Sequence, residues 1–234
     1  MTDTLTGRSL GALVAEAPAR ARVFDQLGLD YCCHGDRSLA EASQAAGLDP
    51  ATVVVALAAV ATPPATATAP SAGDPVALID DIVNGHHGFL RDELPALVAL
   101  AAKVKEVHGT RHPELATVHQ LVVSLQADLE PHMLKEERIL FPAVRLLVEG
   151  QRQFGFGTID NPIRVMRLEH EQAGDLLAEL RRATGGYEVP ADGCASYEAL
   201  YRRLEHVEDD THLHIHKENN ILFPMAAALQ APGS

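Results

Sequence analysis

The sequence contains no tryptophan, few aromatic residues and far fewer basic than acidic residues. Phe and Tyr make up 4% of the 234 residues, and only three residues are cysteines. Asp and Glu number 32 against 19 Lys and Arg, which gives a formal charge of -13. Nucleic acids and anionic membranes bind clustered Lys and Arg, so the charge argues against both as partners. Three cysteines, two of them adjacent, do not make the disulfide framework of a small secreted protein.

Long apolar runs are also missing. No stretch of about 18 apolar residues occurs, and the first residues, Met1 to Arg8, are polar with no apolar signal core behind them. We therefore expect a cytoplasmic protein without a membrane association. Hydrophobic residues still make up 47% of the chain, which is enough to bury a sizeable core.

One eleven-residue stretch occurs twice. Residues 132–142 read HMLKEERILFP and residues 214–224 read HIHKENNILFP, so seven of eleven positions are identical at an offset of 82. Each copy places a His four residues before a Glu, a spacing that puts both side chains on one face of a helix. A single pair of this kind is more often a surface hydrogen bond. Two copies in matching contexts favour a metal site instead, with half of its ligands in each copy.

Two further histidines extend the repeat. His87 lies 45 residues before His132, and His170 lies 44 residues before His214, which predicts a duplicated helical hairpin. Four such helices would place these side chains inside a bundle, where carboxylate-bridged dinuclear metal centres are built. Burying them without a cation would cost several kcal/mol per unpaired charge. The predicted metal ligands are His87, His132, Glu136, His170, His214 and Glu218.

Some neighbouring residues compete for these roles or support them. His86 is the alternative to His87 as a ligand, and the sequence alone does not separate the two. Asp128 and Asp210 each lie one helical turn before the His that begins a copy of the repeat, and they are expected to orient the ligand histidines. His212 and His216 share a helix face that points away from His214.

Helix start and stop signals predict two domains. Residues 1–60 contain four short helices around a thin core, and residues 61–73 form a linker of Ala, Thr and Pro. Residues 74–234 contain four long helices, with Pro95 and Pro131 inside the first two, where we expect a kink or local opening. The predicted fold is all-α, a four-helix up-down bundle preceded by a small helical domain.

Cys32 and Cys33 lie between the second and third short helices. Adjacent cysteines cannot form an unstrained disulfide, so they are interpreted as separate thiols or a transient redox link. His34 and the start of the next helix could lower a thiol pKa. The alternative is a pair of small apolar residues packed in a turn. Cys194, in the loop before the last helix, is expected to be structural.

In combination, these motifs resemble the iron-sulfur cluster repair proteins of the Repair of Iron Centres family, over nearly the whole chain. The resemblance rests on Tyr31-Cys32-Cys33-His34-Gly35, on His87 together with Arg91-Asp92-Glu93-Leu94-Pro95, on the first eleven-residue copy, on Glu169-His170-Glu171 and on Glu218-Asn219-Asn220 with Phe223-Pro224. Two departures stand out. His34 occupies a position where many relatives have glycine, and Pro131 directly precedes His132.

The resemblance implies a hemerythrin-like bundle that binds two non-haem iron ions joined by an oxo or hydroxo bridge and by Glu136 and Glu218. It implies repair of iron-sulfur clusters damaged by nitrosative or oxidative stress, through iron donation, reduction of nitric oxide to nitrous oxide, or both. Whether the protein is an enzyme, a di-iron nitric oxide reductase, stays open. Functional roles are implied for Cys32 and Cys33, and a place on the route to the metals for Glu169.

The implied partners are damaged iron-sulfur proteins, nitric oxide or oxygen as a small ligand, and an unidentified electron donor. The protein is expected to act as a monomer or homodimer. No additional histidine follows His87 or His170 by one turn, which favours a redox-reactive centre over reversible oxygen storage. The alternative function is a hemerythrin-like sensor or binding module for oxygen, nitric oxide or iron that performs no turnover.

Overall fold

The computed structural model describes residues 3–60 and 73–231, and the predicted linker lies outside these ranges apart from Gly73. All regular elements within them are helices, which confirms the all-α class. Two compact units are present: one comprises the chain up to Ile79 together with the chain from His212 onward, and the other is Asp80–Thr211. The first unit therefore draws on both ends of the sequence.

The first unit begins with five short helices. They are α1 (Asp3–Thr6), α2 (Leu10–Glu16), α3 (Ala21–Leu27, preceded by a 3-10 turn over Pro18–Arg20), α4 (Leu39–Ala45) and α5 (Pro50–Ala59). Side-chain caps explain where they start and stop. Ser9 accepts a hydrogen bond from the Ala12 N–H, Ser38 forms a capping box with Glu41, and Asp49 caps α5. Gly28 ends α3 in the left-handed conformation that glycine adopts without strain.

Apolar side chains from the short helices contribute to the core of this unit. The side chains of Leu10, Leu13, Val14, Phe24, Tyr31 and Leu39 are each at most 1% exposed. The C-terminal segment shares the unit, and its His212 Nδ1 lies 2.8 Å from Asp25 Oδ1. The Tyr31 ring also lies against the imidazoles of His212 and His216. Residues from the two ends of the sequence thus form one packed unit.

Long helices follow along the chain. The part of them between Asp80 and Thr211 makes up the second unit, and the part from His212 onward belongs to the first. Helix α6 (Pro75–Asp81) leads through Ile82–His87 into α7 (Gly88–His108), and α8 (Glu114–Lys135) leads through Glu136–Leu140 into α9 (Phe141–Val148). Helix α10 (Asp160–Ala183) follows, and then α11 (Ala195–Lys217), which continues through Glu218–Leu222 into α12 (Phe223–Gln230). Helix α7 continues through Pro95 and α8 through Pro131, so neither proline ends its helix.

Three segments of wider π-helical turn interrupt the long helices: Ile82–His87, Glu136–Leu140 and Glu218–Leu222. The second and third precede Phe141-Pro142 and Phe223-Pro224. Proline has no N–H and clashes with the carbonyl group four residues earlier, and a wider turn relieves both problems. The local opening expected at Pro131 is therefore found after it, at Glu136. Each wide turn begins or ends at a predicted metal ligand.

Among the described residues, no single helix is both long and apolar enough to cross a membrane. Helices α4 and α5 satisfy the length and composition criteria only as a pair, and the chain bends by 116° between them.

Candidate metal centre

Three histidines and one glutamate converge inside the second unit. His87 ends a wide turn, His132 lies in α8, Glu136 begins the next wide turn and His170 lies in α10. Glu136 Oε2 lies 3.4 Å from His87 Nε2 and 3.3 Å from His132 Nε2. Its other oxygen lies 3.9 Å from His170 Nε2. Each of these side chains is at most 2% exposed, so a buried carboxylate sits among three imidazoles.

Two more carboxylates contact the opposite side of the imidazole rings. Glu137 Oε1 lies 2.7 Å from His87 Nδ1, and Glu169 Oε2 lies 2.9 Å from His132 Nδ1. An ionised carboxylate only accepts hydrogen bonds, so each Nδ1 carries the donated proton. In the neutral ring the lone pair is then on Nε2, the atom that faces Glu136. Carboxylates set the ring orientation of metal-binding histidines in this way.

Basic side chains hold these two carboxylates in place. Arg91 donates to Glu137, and Lys135 donates to Glu169. The hydrogen bond from His132 lowers the pKa of Glu169 most, and with the contribution of Lys135 the pKa falls to about 2. Burial raises the pKa of Glu137, but hydrogen bonds from His87 and Arg91 outweigh this effect and the net shift is downward. Both groups are therefore carboxylates at neutral pH.

The second copy of the repeat supplies a matching pair in the first unit. His214 Nε2 lies 3.2 Å from Glu218 Oε1, and both side chains are at most 1% exposed. The flanking histidines belong to other contacts, because His212 pairs with Asp25 and the His216 ring lies against Tyr31. This arrangement agrees with the expectation that His212 and His216 share a different face of the helix.

The residues that are present fit a bound metal. Deep burial of carboxylates and imidazoles is costly unless a cation or a full set of hydrogen bonds compensates it. In the second unit the ligand atoms of His132, Glu136 and His170 all lie within 4.8 Å of one another. Imidazole nitrogen together with carboxylate oxygen suits iron, manganese or zinc.

The adjacent residues His86 and His87 make different contacts. His86 Nδ1 lies 2.8 Å from Asp210 Oδ1, whereas His87 Nε2 faces Glu136. Asp210, which was expected to orient His214, thus makes its hydrogen bond with His86. The sequence gives no sign of this contact, because the partners lie 124 residues apart.

Asp128 and Glu169 line a common pocket in the second unit. Its volume is about 120 Å³, and its wall also includes Pro131, His132 and Lys135. The Glu169 side chain is 24% exposed, so it lies between solvent and the buried His132. A group in this position can admit water or small ions to the imidazole.

Cys32 and Cys33 are separate thiols, and the pKa of Cys32 differs from the expectation. The Cys32 and Cys33 sulfurs lie 3.8 Å apart, well beyond disulfide distance. The hydrogen bond with Cys33, burial and the nearby Asp30 carboxylate all raise the pKa of Cys32 well above its usual value. The expected lowering by His34 is wrong for Cys32, since His34 pairs with Asp30 instead.

Two asparagines that the sequence patterns did not single out as site residues donate hydrogen bonds to the loop that contains Cys32 and Cys33, called the cysteine loop below. Asn219 donates to the Cys32 carbonyl group at 3.2 Å, and Asn220 donates to the carbonyl groups of Tyr31 and Cys32 at 3.1 Å each. Both asparagines directly follow Glu218. The sequence signals were their place in the motif Glu218-Asn219-Asn220 and their position in the second copy, where the first copy has Glu137 and Arg138.

Cys194 also has a more reactive setting than expected. Its sulfur lies 3.1 Å from His108 Nε2. The backbone N–H groups of Tyr197 and Ser196, at the start of α11, lower the pKa of its thiol. Its position immediately before a long helix was the sequence signal for this effect.

Comparison with known proteins identifies the class of this chain. The hemerythrin HHE cation binding domain matches residues 78–226, and a domain of unknown function named ScdA_N (DUF542) matches residues 6–61. The chain therefore belongs to the hemerythrin HHE cation-binding family, whose domain is a helical bundle.

Curated relatives match over almost the full length. The chain is 35% identical to the iron-sulfur cluster repair protein YtfE of Escherichia coli O81 (strain ED1a), over 94% of this chain and 96% of that protein. The proteins of the same name from Escherichia coli O17:K52:H18 and Shigella boydii serotype 4 are each 34% identical over the same shares.

Proposed function

We propose that this protein repairs iron-sulfur clusters and that its hemerythrin domain binds two iron ions for that purpose. The observation that carries the proposal is the set of imidazoles around Glu136, with Glu137 and Glu169 accepting the Nδ1 protons of His87 and His132. Similarity to iron-sulfur cluster repair proteins over 94% of the chain supplies the biological reaction.

Six residues would hold the iron ions. One family domain spans both His–Glu copies and the two upstream histidines, which supports assigning these residues to one centre. Each copy has the same close contact between imidazole Nε2 and carboxylate, at 3.3 Å in the first and 3.2 Å in the second. The proposed ligands are His87, His132, His170 and His214, with Glu136 and Glu218 as bridges.

The protein groups around the centre prepare it for binding and release. Glu137 and Glu169 keep the imidazoles in the tautomer that presents Nε2. Bound iron would supply redox-active positions for a diatomic ligand and a store of exchangeable ions. Lys135 and Glu169 pair beside the pocket that reaches His132, and this pair would have to move aside when an ion enters or leaves.

Iron donation and nitric oxide reduction are two routes to repair. Donation needs an exit path, and the pocket beside Glu169 supports it. Reduction of two nitric oxide molecules to nitrous oxide and water needs two electrons and two protons, so it also needs an external donor. Glu169 is placed to pass ions or protons, and we assign it that role in the proposal. Cys32 and Cys33 would act in the step that involves the damaged iron-sulfur protein.

A sensor without turnover is the second candidate function. Glu218 is followed directly by Asn219 and Asn220, which hold the carbonyl groups of the cysteine loop. A change at Glu218 would reach that loop through two residues of one wide turn. Stable, reversible binding of nitric oxide without loss of nitric oxide would favour this candidate.

Repair is tested on a hydratase whose [4Fe-4S] cluster has been damaged by nitric oxide. The reduced, iron-loaded full-length chain is added anaerobically, and both recovered hydratase activity and nitrous oxide are measured. We expect recovered activity, its loss in His132→Ala, and a slower recovery in Glu169→Gln. Glu171→Gln is the matched control, because Glu171 is exposed on the same helix. If the hydratase activity is not recovered and no nitrous oxide is formed, the proposal is refuted.

A cytoplasmic location and a monomeric or homodimeric state remain predictions. Fractionation of cells and sedimentation of the purified chain test them.

A further inference from the structure

We propose that Asp30, Cys32 and Cys33 form a second metal site, which binds a thiophilic divalent cation such as zinc. It lies in the small helical region at the start of the chain and uses sulfur ligands. The proposed iron centre uses only nitrogen and oxygen. The two sites would therefore differ in their preferred metal.

The spacing of the ligand atoms fits one tetrahedral ion. A carboxylate oxygen of Asp30 and the two cysteine sulfurs all lie within 4.8 Å of one another. Two zinc–sulfur bonds of about 2.3 Å at the tetrahedral angle place the sulfurs about 3.8 Å apart. The observed sulfur–sulfur distance is 3.8 Å. Asp30 Oδ1 lies 3.3 Å from Cys32 Sγ, close to the about 3.5 Å expected for oxygen and sulfur ligands of one zinc ion.

Backbone contacts hold the three ligands in one turn. Asp30 Oδ1 accepts hydrogen bonds from the N–H groups of Cys32 at 3.1 Å and Cys33 at 2.8 Å. Asn219 and Asn220 fix the Cys32 carbonyl group from the other side. Gly35 packs so closely that an added Cβ would lie 2.4 Å from the Tyr31 carbonyl oxygen. The loop is therefore arranged before any ion arrives, which lowers the entropic cost of binding.

His34 acts as a positioning residue for the carboxylate. Its Nδ1 lies 2.6 Å from Asp30 Oδ2, the oxygen that does not contact the cysteines. Such a contact fixes the direction of a ligating carboxylate. Asp30 and His34 also line a pocket of about 220 Å³ together with Arg37. Three protein ligands leave a fourth position for water or for a group from another molecule.

Binding must release protons. Burial and neighbouring groups keep the Cys32 thiol protonated in the absence of a cation. As each sulfur–metal bond forms, the corresponding S–H bond breaks and its proton passes to solvent, so the two cysteines release two protons per ion. No electron is transferred, and no oxidant or reductant is needed.

Cobalt(II) is the probe, because thiolate ligands give it near-ultraviolet charge-transfer bands that nitrogen and oxygen ligands do not. The full-length chain is prepared reduced, anaerobic and iron-loaded, with Cys194→Ser as the background so that only Cys32 and Cys33 can supply a thiolate. We expect one cobalt ion per chain to produce the thiolate band and the visible bands of a tetrahedral ion. We also expect zinc to displace it. Absence of a thiolate band would overturn the proposal.

Variants of the loop locate the ion. Cys32→Ser combined with Cys33→Ser should abolish the band, and Cys33→Ser alone, at the less buried position, should reduce it. Asp30→Asn should keep the band but weaken affinity by about 10–100-fold, and His34→Gly by about tenfold. Asp36→Asn is the control, an exposed acid of the same loop whose loss should change nothing.

Two control measurements separate loss of the proposed metal site from loss of the fold or of the iron centre. Circular dichroism establishes that each variant is folded, and iron content reports on the other centre independently. An unchanged band in the double cysteine variant would refute the proposal even if iron binding and cluster repair were intact. Loss of iron with the cobalt band retained would instead count against the proposed function alone.

Discussion

The two copies of the eleven-residue repeat have the same local backbone structure but differ in the residues directly after the shared glutamate. Both copies place His and Glu in contact, and both enter a wide turn at that Glu. In the first copy the next residue is Glu137, which contacts His87. In the second copy Asn219 and Asn220 come after Glu218 and donate to backbone carbonyl groups of the cysteine loop.

The chemistry of these side chains explains the difference. A carboxylate accepts hydrogen bonds and therefore suits the N–H of an imidazole, whereas an amide NH₂ group donates and suits a carbonyl oxygen. Residues of the same kind of turn thus contact a proposed metal ligand in the first copy and a neighbouring loop in the second. The shared residues define the proposed centre, and the divergent residues define what each copy is joined to.

The largest effect is expected at the shared glutamates. Glu136→Ala and Glu218→Ala should each lose most bound iron, because each removes a proposed bridging ligand. Iron per chain after gel filtration measures the loss, and Glu130→Ala, at an exposed position on α8, is the control. Full iron retention in either variant would show that the two copies are not equivalent as ligands.

A smaller loss of iron is expected when Glu137, the carboxylate of the first copy that contacts His87, is changed. Glu137→Gln keeps the shape but removes the charge beside His87, so iron affinity should fall by about 10–100-fold. Competition with a chelator measures the affinity. An unchanged affinity would mean that the contact with Glu137 does not orient the histidine.

The contact between the second copy and the cysteine loop should be destabilised by added volume at Gly35. In Gly35→Ala the new Cβ would lie 2.4 Å from the Tyr31 carbonyl oxygen and 2.6 Å from Asn220 Oδ1. Such overpacking costs about 1–3 kcal/mol, measured as the free energy of unfolding in urea. Gly7→Ala has nothing within 4 Å of the added Cβ and serves as the control. Equal stability of the two variants would contradict the close packing of this loop.

The smallest effect is expected from removing one amide. Asn220→Ala deletes hydrogen bonds to two carbonyl groups and should cost about 0.5–1.5 kcal/mol of stability while leaving iron content unchanged. Because the cysteine loop loosens, the buried Cys32 should react faster with a thiol reagent, measured by mass spectrometry. A loss of iron as large as that of Glu137→Gln would erase the distinction between the copies.

Local sequence patterns predicted the residues whose roles depend on helix periodicity or capping. The spacing of four residues indicated the faces of His132 with Glu136 and of His214 with Glu218. Ser9, Ser38 and Gly28, residue types that favour helix ends, mark helix ends in the structure. These signals lie within a few residues of the feature that they specify.

Contacts between distant residues could not be predicted in the same way. The partners Glu137 and His87 lie 50 residues apart, and Asn220 and Tyr31 lie 189 apart. The wide turns also escaped prediction, because the opening was expected at Pro131, whereas Pro142 and Pro224 are the prolines that come after a widened segment. A proline constrains the carbonyl four residues before it, so its effect is displaced toward the N-terminus.

The most direct test of the account is the iron content and Mössbauer spectrum of the full-length chain purified under anaerobic conditions. We predict about two iron ions per chain, coupled as a dinuclear centre, and loss of the coupled signal in both His132→Ala and His214→Ala. One uncoupled iron per chain, no iron, or a coupled signal that survives either substitution would contradict the proposal that both copies of the repeat hold one di-iron centre.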